Sequence, residues 1–449
     1  MGRLFGTDGV RGVAITELTC ETAMKIGRAA ALVLTKGLDR KAKIFIGKDT
    51  RISSDILEAA LCAGICSVGA DAVILGVVPT PAVAMLVSEK GADAGVMISA
   101  SHNSVEFNGI KLFSSTGYKL SDETEDEIER LVSNPEEITL ASHTDVGRIL
   151  HYTEACEDYI SHVTGSIKAN LDGMKIALDC ANGSSSATAE KMFTRLGAEV
   201  LMIHAEPDGT NINKNCGSTH MGDLQKFVVE NGCDCGLAFD GDADRCLAVD
   251  ENGNLVDGDQ LIAICSKAYK EDGRLKNNAA VVTVMSNLGF RIFAEENGID
   301  AVMTAVGDRY VLEEMLKSGY IIGGEQSGHI IFIEEASTGD GQLSGAKVLE
   351  ILKNKGQKLS DAASIMTVLP QVLKNITITP DVKGLWSTKP AIMSLVAKHE
   401  ETLGTAGRIF IRESGTEPLL RVMIEGKDKT QIEAMANEIC DMIKAELGV

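Results

Sequence analysis

Short apolar segments alternate along the chain with longer segments whose apolar positions recur at helical spacing. The short segments predict buried strands and the longer ones predict amphipathic helices. From about residue 43 onward, the pattern strand, helix, strand, helix, strand occurs three times. Because strands that alternate with helices form parallel sheets with right-handed crossovers, this pattern predicts three α/β domains of similar topology. The nine predicted strands lie near 43–47, 72–78, 94–98, 174–179, 199–203, 235–239, 279–284, 300–305 and 320–323.

The connecting helices are predicted from the same periodicity. The first helix follows Thr19, whose hydroxyl suits a helix cap, and the acidic run Ser121–Glu129 reads as the start of another helix. The other predicted helices are 54–68, 186–196, 223–231, 288–297 and 310–318.

The pattern changes after about residue 370, where a smaller α+β domain is predicted. The fold class is therefore α/β: three similar doubly wound domains with mainly parallel sheets, plus this smaller domain, around a central cleft. The predicted domains are 1–153, 154–252, 253–369 and 370–449. In the last domain, strands are expected near 375–379, 407–411 and 419–424, and helices at 388–400 and 429–446.

Composition excludes several classes of function. The net charge of −21 disfavours binding to nucleic acid, although a small basic pocket for an anionic metabolite remains compatible with it. No apolar run approaches the length of a membrane span and the N-terminus lacks a secretory segment, so a cytoplasmic protein is expected. The eleven cysteines are scattered without a C-x-x-C pair, which favours free thiols and argues against a zinc site.

The third strand of each repeat ends in a polar loop: Ser99–Asn103, Asp240–Arg245 and Gly324–His329. Ligands of open α/β sheets gather at the carboxyl ends of the strands. Three such ends that face one cleft would form a single composite site.

The first of these loops has the composition of a nucleophile site. A serine ends the buried strand 94–98, with His102 beside it and the basic Lys111 further along. Serines at strand ends more often cap the next turn, so that alternative stays open at this point.

The second loop carries carboxylates at alternate positions, Asp240, Asp242 and Asp244, which can converge on one hard cation. Magnesium fits better than calcium, because the longer loop and distal glutamate of a calcium site are missing. A solvated acidic turn is the alternative. The neighbouring Arg245 can hold a phosphate oxygen.

Two further loops suit a sugar phosphate. The segment 323–329 offers Glu, Ser and His groups beside glycines, which suits a polyhydroxylated ligand, whereas a plain capped turn is the alternative. The segment 412–418, together with Arg421, offers a phosphate cradle or a surface turn. Weaker candidates lie at Thr7 and Arg11 and at Asp308 and Arg309, where either arginine can instead form an interdomain ion pair.

These motifs, together with residues 5–12 (Phe-Gly-Thr-Asp-Gly-Val-Arg-Gly), resemble the α-D-phosphohexomutase superfamily along the whole chain. The form of residues 5–12, of 324–329 and of 337–341 is similar to bacterial members that act on glucosamine phosphates. The chain departs from the superfamily pattern at Ser104, where proline is usual, and at Glu413, where proline or lysine is common.

The resemblance implies a role for each motif. Ser101, and not Ser99, would carry the phosphoryl group. The implied catalytic residues are Arg11, Ser101, His102, Lys111, Arg245 and His329. The implied ligands of one magnesium ion per subunit are Ser101, Asp240, Asp242 and Asp244. The implied substrate-binding residues are Glu325, Ser327, Arg412, Ser414, Gly415, Thr416 and Arg421.

The implied reaction interconverts glucosamine 6-phosphate and glucosamine 1-phosphate through phospho-Ser101 and a sugar 1,6-bisphosphate, which serves as intermediate and activator. The expected partners are hexosamine phosphates, with no nucleic acid or membrane, and a monomer or homodimer is expected. Three alternatives remain: a plain-hexose mutase of the same superfamily, a magnesium-dependent sugar-phosphate phosphatase and a non-catalytic sugar-phosphate sensor.

Overall fold

A computed structural model describes residues 4–6, 8–379, 382–413 and 418–449. The predicted site residues Ser414, Gly415 and Thr416, and the weaker candidate Thr7, lie outside these ranges. The described strands are β1 (Val10–Val13), β2 (Lys43–Lys48), β3 (Asp71–Val77), β4 (Ala94–Ile98), β5 (Phe107–Ser114), β6 (Ile149–His151), β7 (Lys175–Asp179), β8 (Glu199–Ile203), β9 (Cys235–Phe239), β10 (Cys246–Asp250), β11 (Leu255–Val256), β12 (Ala279–Thr283), β13 (Asp300–Thr304), β14 (Ile322–Gly324), β15 (Ile330–Phe332), β16 (Gln371–Thr377), β17 (Arg408–Glu413) and β18 (Leu419–Glu425). The described helices are α1 (Cys20–Leu34), α2 (Ile52–Ser67), α3 (Thr80–Lys90), α4 (Asp122–Ser133), α5 (Ala155–Ser166), α6 (Ala189–Arg195), α7 (Gly222–Asn231), α8 (Gly258–Glu271), α9 (Leu288–Glu296), α10 (Asp308–Ser318), α11 (Gly341–Lys355), α12 (Leu359–Ala363), α13 (Pro390–Leu403) and α14 (Lys429–Leu447).

The chain divides into two compact units. Unit 1 comprises Met1–Met285 and Asn297–Ile365, and unit 2 comprises Ser286–Glu296 and Met366–Val449. Helix α9 thus belongs to the same unit as the C-terminal strands and helices. The α/β fold class with a smaller C-terminal α+β part is confirmed, whereas the central cleft and the domain boundaries stay predictions.

Unit 1 contains three sheets, which repeat one arrangement. Their strand orders are β1-β5-β4-β2-β3-β6, β11-β10-β9-β7-β8 and β13-β12-β14-β15. Each sheet has a parallel core, made of β4-β2-β3, of β9-β7-β8 or of β14-β12-β13. The central strands are apolar and buried because helices cover them, as β4 and β9 illustrate with every residue buried.

The sheets are mixed rather than parallel throughout, because the third core strand does not lead into a helix. It turns back instead into an antiparallel strand: β4 into β5, β9 into β10 and β14 into β15. The sequence pattern did not predict these three strands. The three candidate loops therefore connect antiparallel neighbours, which fixes both ends of each loop in the same sheet.

Local signals explain the element boundaries that were predicted. The Thr19 hydroxyl accepts a hydrogen bond from the Thr22 N–H at 3.1 Å and begins α1. Ser121 caps α4 in the same way, with three acidic residues in the first turn. Both predicted helix starts are confirmed.

Unit 2 is built on one antiparallel sheet with the order β16-β18-β17. The buried face of β18 packs with helices α13 and α14 around a core that includes Ile392, Leu420, Val422 and Ile439. In the part of the chain that the structure describes, no helix is both long and apolar enough to cross a membrane.

Candidate active site

In the loop between β4 and β5, the side chains of Ser99 and Ser101 have different hydrogen-bond partners. Ser101 is 1% exposed, and its Oγ donates a 2.7 Å hydrogen bond to Oδ2 of Asp240 on the second sheet. Ser99 Oγ instead donates to Oδ2 of Asp49 at 2.6 Å and accepts the Ser101 N–H at 2.9 Å. Ser101 therefore faces the acidic loop, whereas Ser99 shapes its own loop. Ser101 also has a φ of 54°, a left-handed conformation that costs free energy in a non-glycine residue.

Two buried side chains hold this strained loop through its carbonyl groups. The Arg51 guanidinium donates to the carbonyl oxygens of Ser101 at 3.0 Å and Asn103 at 2.7 Å, and also to those of Ser104 and Phe107. Asn213 Nδ2 donates to the same two carbonyls, of Ser101 and Asn103, at 2.8 and 2.9 Å. The fork of donors on arginine suits several carbonyls at once, so the two side chains fix the position of Ser101 Oγ.

The acidic loop between β9 and β10 brings three carboxylates together in a buried place. One oxygen of each of Asp240, Asp242 and Asp244 lies within 4.8 Å of the others. Burial, and then the charges of Asp244 and Asp242, raise the pKa of Asp240 to about 8. Two buried oxygens, Oδ1 of Asp242 and Oδ1 of Asp244, have no hydrogen-bond partner among the described residues.

These oxygens decide whether the loop fits a metal ion. A buried carboxylate oxygen without a donor is costly, and a hard divalent cation satisfies it directly. The donor set consists only of oxygen atoms, which matches magnesium chemistry. The loop therefore fits a divalent metal ion, with the solvated-turn alternative ruled out because all three carboxylates are buried.

Lys111 on β5 is a buried counter-charge for the acidic loop. Its Nζ lies 2.8 Å from Asp242 Oδ2, 3.2 Å from Asp244 Oδ2 and 3.0 Å from Asp8 Oδ2. Burial alone would lower the pKa of Lys111, but the carboxylates of Asp242, Asp244 and Asp8 raise it well above its ordinary value. Lys111 is therefore charged at neutral pH.

His102 and Arg245 both lie near Ser101. The His102 Nδ1 is 3.3 Å from Ser101 Oγ. Burial, and then the positive charges of Arg245 and Arg11, lower the pKa of His102 to about 4, so the ring is neutral at pH 7. Burial opposes the charge of Arg245, but Asp240 and Asp244 raise its pKa. Its Nε atom lies 3.9 Å from Asp244 Oδ1 and has no hydrogen-bond partner among the described residues.

Arg11 on β1 pairs with Asp8, at the edge of the same cluster. Lys119, which was not among the predicted site residues, donates to Asp8 Oδ1 at 2.6 Å and Asp308 Oδ2 at 2.5 Å. Arg309 was a weaker candidate for the site, with an ion pair between domains as the alternative. It forms an ion pair with Asp122 Oδ1 at 2.8 Å.

His329, in the loop between β14 and β15, joins the third sheet to the acidic loop. Its Nδ1 lies 3.7 Å from Asp244 Oδ2, and its Nε2 lies 3.4 Å from Asp308 Oδ2. The Gly339 N–H donates to Nε2 at 3.1 Å. Burial lowers the pKa of His329, but Asp308 and Asp244 outweigh burial and raise it. The ring thus lies between a backbone donor, which favours an unprotonated Nε2, and two carboxylates that favour the charged form.

Gly339 allows this approach because it has no side chain. A Cβ atom at this position would lie 2.5 Å from the His329 ring, closer than any real contact. Helix α11 begins at Gly341, and Asp340 is its N-cap. Asp340 Oδ1 accepts a 2.7 Å hydrogen bond from the Tyr159 hydroxyl. The segment 337–341 therefore supports His329 from behind.

Glu325 and Ser327 lie in the same loop as His329. Glu325 Oε1 accepts the Gly307 N–H at 3.1 Å, which leaves further acceptor capacity on the carboxylate. Ser327 Oγ is buried and has no hydrogen-bond partner among the described residues. A hydroxyl in this position can bind a polar ligand group without breaking an internal contact.

The predicted phosphate cradle lies in unit 2, on neighbouring antiparallel strands. Arg412 on β17 is directly opposite Arg421 on β18. Burial, and then the charge of Arg421, lower the pKa of Arg412. Like charges in a cross-strand pair are unfavourable, so an anion bound between them would stabilise the pair. Glu413, the unusual acid here, accepts the backbone N–H of Gly384.

Several residues that build the site were not predicted. Asp49 and Arg51 follow the end of β2, so the rule that placed the other loops at strand ends also applies to them. Asp8 lies in the N-terminal glycine-rich loop. Asn213 and Lys119 lie in segments without any chemical pattern, and nothing in the sequence singles them out.

Family models cover most of the chain in order. Residues 2–139, 157–253 and 257–369 match domains I, II and III of phosphoglucomutase/phosphomannomutase, each described as an alpha/beta/alpha domain. Residues 354–442 match the C-terminal domain of the same family.

Solved structures share the fold. A phosphoglucomutase/phosphomannomutase family protein from Burkholderia thailandensis has a TM-score of 0.81 at 22% identity, over 99% of this chain and 97% of that one. The N-acetylphosphoglucosamine mutase of Aspergillus fumigatus, described in complex with GlcNAc-6P and magnesium, has a TM-score of 0.69 at 17% identity, over 99% of this chain and 96% of that one.

A curated relative is much closer in sequence. The phosphoglucosamine mutase of Acetivibrio thermocellus is 55% identical over 449 residues, which are all of both chains. Together with the family models, this similarity shows that the chain belongs to the phosphoglucosamine mutases, isomerases of the phosphoglucomutase/phosphomannomutase family.

Proposed function

We propose that the protein interconverts glucosamine 6-phosphate and glucosamine 1-phosphate by way of phospho-Ser101 and a glucosamine 1,6-bisphosphate. The observation that carries the proposal is the hydrogen bond of the buried Ser101 Oγ to Asp240, within a triad of buried carboxylates. The full-length relative named phosphoglucosamine mutase supports the choice of an amino sugar.

The proposed reaction has two transfers. The sugar O1 attacks the phosphorus of phospho-Ser101, the bond from phosphorus to Oγ breaks, and the O1 proton leaves to a base. After the bisphosphate has turned round, Ser101 Oγ attacks its 6-phosphoryl group, the bond from phosphorus to the sugar O6 breaks, and O6 takes up a proton from an acid. The Ser101 proton has two acceptors in reach, His102 Nδ1 at 3.3 Å and Asp240 Oδ2 at 2.7 Å.

The chain's own residues provide a charged surround for these transfers. Asp240, Asp242 and Asp244, with an oxygen of Ser101, would hold one magnesium ion per subunit, which when bound stabilises negative charge on a transferring phosphoryl group. Arg245 would bind phosphoryl oxygens, and Arg11 and Lys111 hold the surrounding carboxylates. His102, Lys111 and His329 are the candidates for proton transfer at the sugar oxygens.

The substrate would be held at both ends. Glu325 and Ser327 have hydrogen-bonding capacity for sugar hydroxyls, as their contacts above indicate. Arg412 and Arg421, with Ser414, Gly415 and Thr416, would bind the phosphate that does not react. A grip on a distant phosphate is useful only when one end of the substrate reacts while the other is held.

We further propose the four domains 1–153, 154–252, 253–369 and 370–449 for this enzyme, around a central cleft. The net charge of −21 disfavours partners such as nucleic acid. A cytoplasmic monomer or homodimer with hexosamine phosphates as substrates, and a sugar 1,6-bisphosphate as activator, completes the proposal.

The test compares kcat/KM for glucosamine 6-phosphate and glucose 6-phosphate, at the same concentrations of magnesium and bisphosphate. The proposal predicts a large preference for the amino sugar. Equal values or a preference for glucose 6-phosphate would contradict it and favour a plain-hexose mutase. Stoichiometric release of inorganic phosphate would instead indicate a phosphatase, and this is measured in the same assay.

A further inference from the structure

A second group of metal-binding side chains lies in the second sheet, apart from the acidic loop of Asp240. Asp179 is the last residue of β7, and His204 directly follows β8. Cys216 directly precedes a short 3-10 helix, Gly217–Thr219. One ligand atom of each residue lies within 4.8 Å of those of the other two. They are a carboxylate, an imidazole and a thiol, a donor set that the proposed phosphoryl transfer does not use.

We propose that Asp179, His204 and Cys216 form a binding site for zinc or a similar borderline transition-metal ion. Nitrogen, sulfur and oxygen donors together suit zinc far better than magnesium, which prefers oxygen alone. Three protein ligands leave a fourth position for water, as in open zinc sites. The sequence argued against a zinc site because it contains no C-x-x-C pair. The three ligands proposed here are distant in the sequence, and only the fold brings them together.

The surroundings already orient the three ligands. Asp179 Oδ1 accepts the Ala181 N–H at 2.9 Å, and its Oδ2 accepts the Gly217 N–H at 2.9 Å. Asn182 Nδ2 lies 3.9 Å from Cys216 Sγ, where it can donate to a thiolate. Backbone and amide donors of this kind orient metal ligands and stabilise their anionic forms.

The imidazole is placed between two carboxylates. His204 Nδ1 lies 3.0 Å from Asp179 Oδ2, and Nε2 lies 3.5 Å from Asp223 Oδ2. The His204 side chain is 27% exposed, which gives an ion access to a site whose other two ligands are buried. His204 also has a left-handed φ of 46°, so the backbone adopts an unfavourable conformation to hold this ring.

Binding would release protons and replace a hydrogen bond. The ion would take the place of the proton between His204 Nδ1 and Asp179, and it would displace the Cys216 thiol proton to solvent. Burial, and then Asp179, raise the pKa of that thiol to about 12, so the thiolate forms only when a cation compensates its charge.

The site connects to the nucleophile loop through the backbone. The Asn213 N–H donates to the Ala181 carbonyl at 2.9 Å, while Asn213 Nδ2 holds the Ser101 carbonyl. An ion that cross-links Asp179, His204 and Cys216 would therefore stiffen the segment that carries Asn213. The metal site itself does not depend on the proposed mutase activity.

The test titrates the full-length protein with cobalt(II) in excess magnesium, because cobalt bound to sulfur has a near-ultraviolet charge-transfer band. The Asp240 loop offers only oxygen, so it cannot give this band. We expect the band in the wild type, its loss in Cys216→Ser and its retention in Cys233→Ser, a matched control at another buried cysteine, which lies between α7 and β9.

A wild type without the band, or a Cys216→Ser variant that keeps it, would overturn the proposal. If Cys216→Ser fails to fold, His204→Asn serves in its place, since that side chain is partly exposed. A folded His204→Asn protein must weaken the band and lose the rise in Tm that zinc causes in the wild type. An unchanged band and an unchanged rise would contradict the site.

Discussion

Ser101 Oγ donates a 2.7 Å hydrogen bond to Asp240 Oδ2, across 139 residues of sequence and between two separate sheets. The acceptor is a carboxyl group whose pKa is raised to about 8, first by burial and then by its acidic neighbours. The proposed nucleophile thus contacts a group that changes its charge near neutral pH, and this contact makes the site sensitive to pH and to cations.

The pKa of Asp240 predicts how stability depends on pH without metal. The folded pKa of about 8 exceeds the ordinary value of 3.8, so the folded state binds more protons than the unfolded state between these limits. The contribution of Asp240 to the free energy of unfolding must therefore fall as pH rises from about 4 to about 8. Urea unfolding of the metal-free protein across this range measures the slope.

Asp240→Asn should reduce that fall, because asparagine does not titrate. Magnesium should stabilise the wild type more at pH 8 than at pH 6, since protons compete with the ion. The exposed Glu199→Gln serves as the charge-matched control and should leave the slope unchanged. An identical slope in wild type and Asp240→Asn would show that the carboxyl does not titrate as described.

The contacts of Lys111 predict that its effect on stability depends strongly on the carboxylates of the acidic loop. Lys111→Met leaves Asp242, Asp244 and Asp8 without their shared buried cation, which typically costs about 3 to 5 kcal/mol of stability. The double variant Lys111→Met/Asp242→Asn should recover part of this loss, because one of the unpaired charges is also removed. Denaturant unfolding of the four proteins of the cycle measures the coupling, and strictly additive effects would refute it.

The sequence predicted the parallel core strands because their residues are uniformly apolar and buried. It did not predict β5, whose sequence Phe-Asn-Gly-Ile-Lys-Leu-Phe-Ser contains a buried asparagine and lysine that resemble surface residues. The apolar strand β15 has only three residues, too short to distinguish from a loop. Buried polar groups thus concealed β5 and short length concealed β15, whereas β10, with five buried residues of which four are apolar, was missed although it has neither feature.

The site loops were predicted from their position at strand ends, but their partners were not. Asn213 and Lys119 act through contacts with residues more than 100 positions away along the chain. Contacts of that range depend on how the sheets pack against each other, and no local pattern encodes them. For the same reason, no local pattern in the sequence predicts the cluster of Asp179, His204 and Cys216.

Gly339→Ala should lower activity through His329. The new methyl group would lie 2.5 Å from the imidazole, so the ring must leave its present position beside Asp244 and Asp308. Overpacking of this kind costs about 1 to 3 kcal/mol, and a displaced group lowers kcat more than it raises KM. Steady-state kinetics test the split between kcat and KM.

Gly165→Ala is the matched control for that variant. Gly165 lies in helix α5, and an added methyl group there meets no atom within 4 Å. It should retain full activity. If Gly339→Ala also kept full activity, the close approach of Gly339 to His329 would have no part in the reaction.

Asn213→Ala should misplace the nucleophile. The variant loses the two hydrogen bonds to the carbonyl groups of Ser101 and Asn103, so the strained loop gains freedom. We expect kcat to fall by about 10- to 100-fold with a smaller change in KM. The control Asn231→Ala removes an exposed hydrogen bond to a helix carbonyl and should leave kcat unchanged. Equal kinetics of the two variants would contradict this positioning role.

The most direct test of the account follows phosphate onto Ser101. The protein is incubated with labelled glucosamine 1,6-bisphosphate, and mass spectrometry locates the label while turnover of glucosamine 6-phosphate is measured. We predict label on Ser101 in the wild type and in Ser104→Ala, whose hydroxyl is exposed in the same loop. Ser101→Ala should carry no label and lose more than about 1,000-fold in kcat. Near-normal turnover by Ser101→Ala would contradict the account.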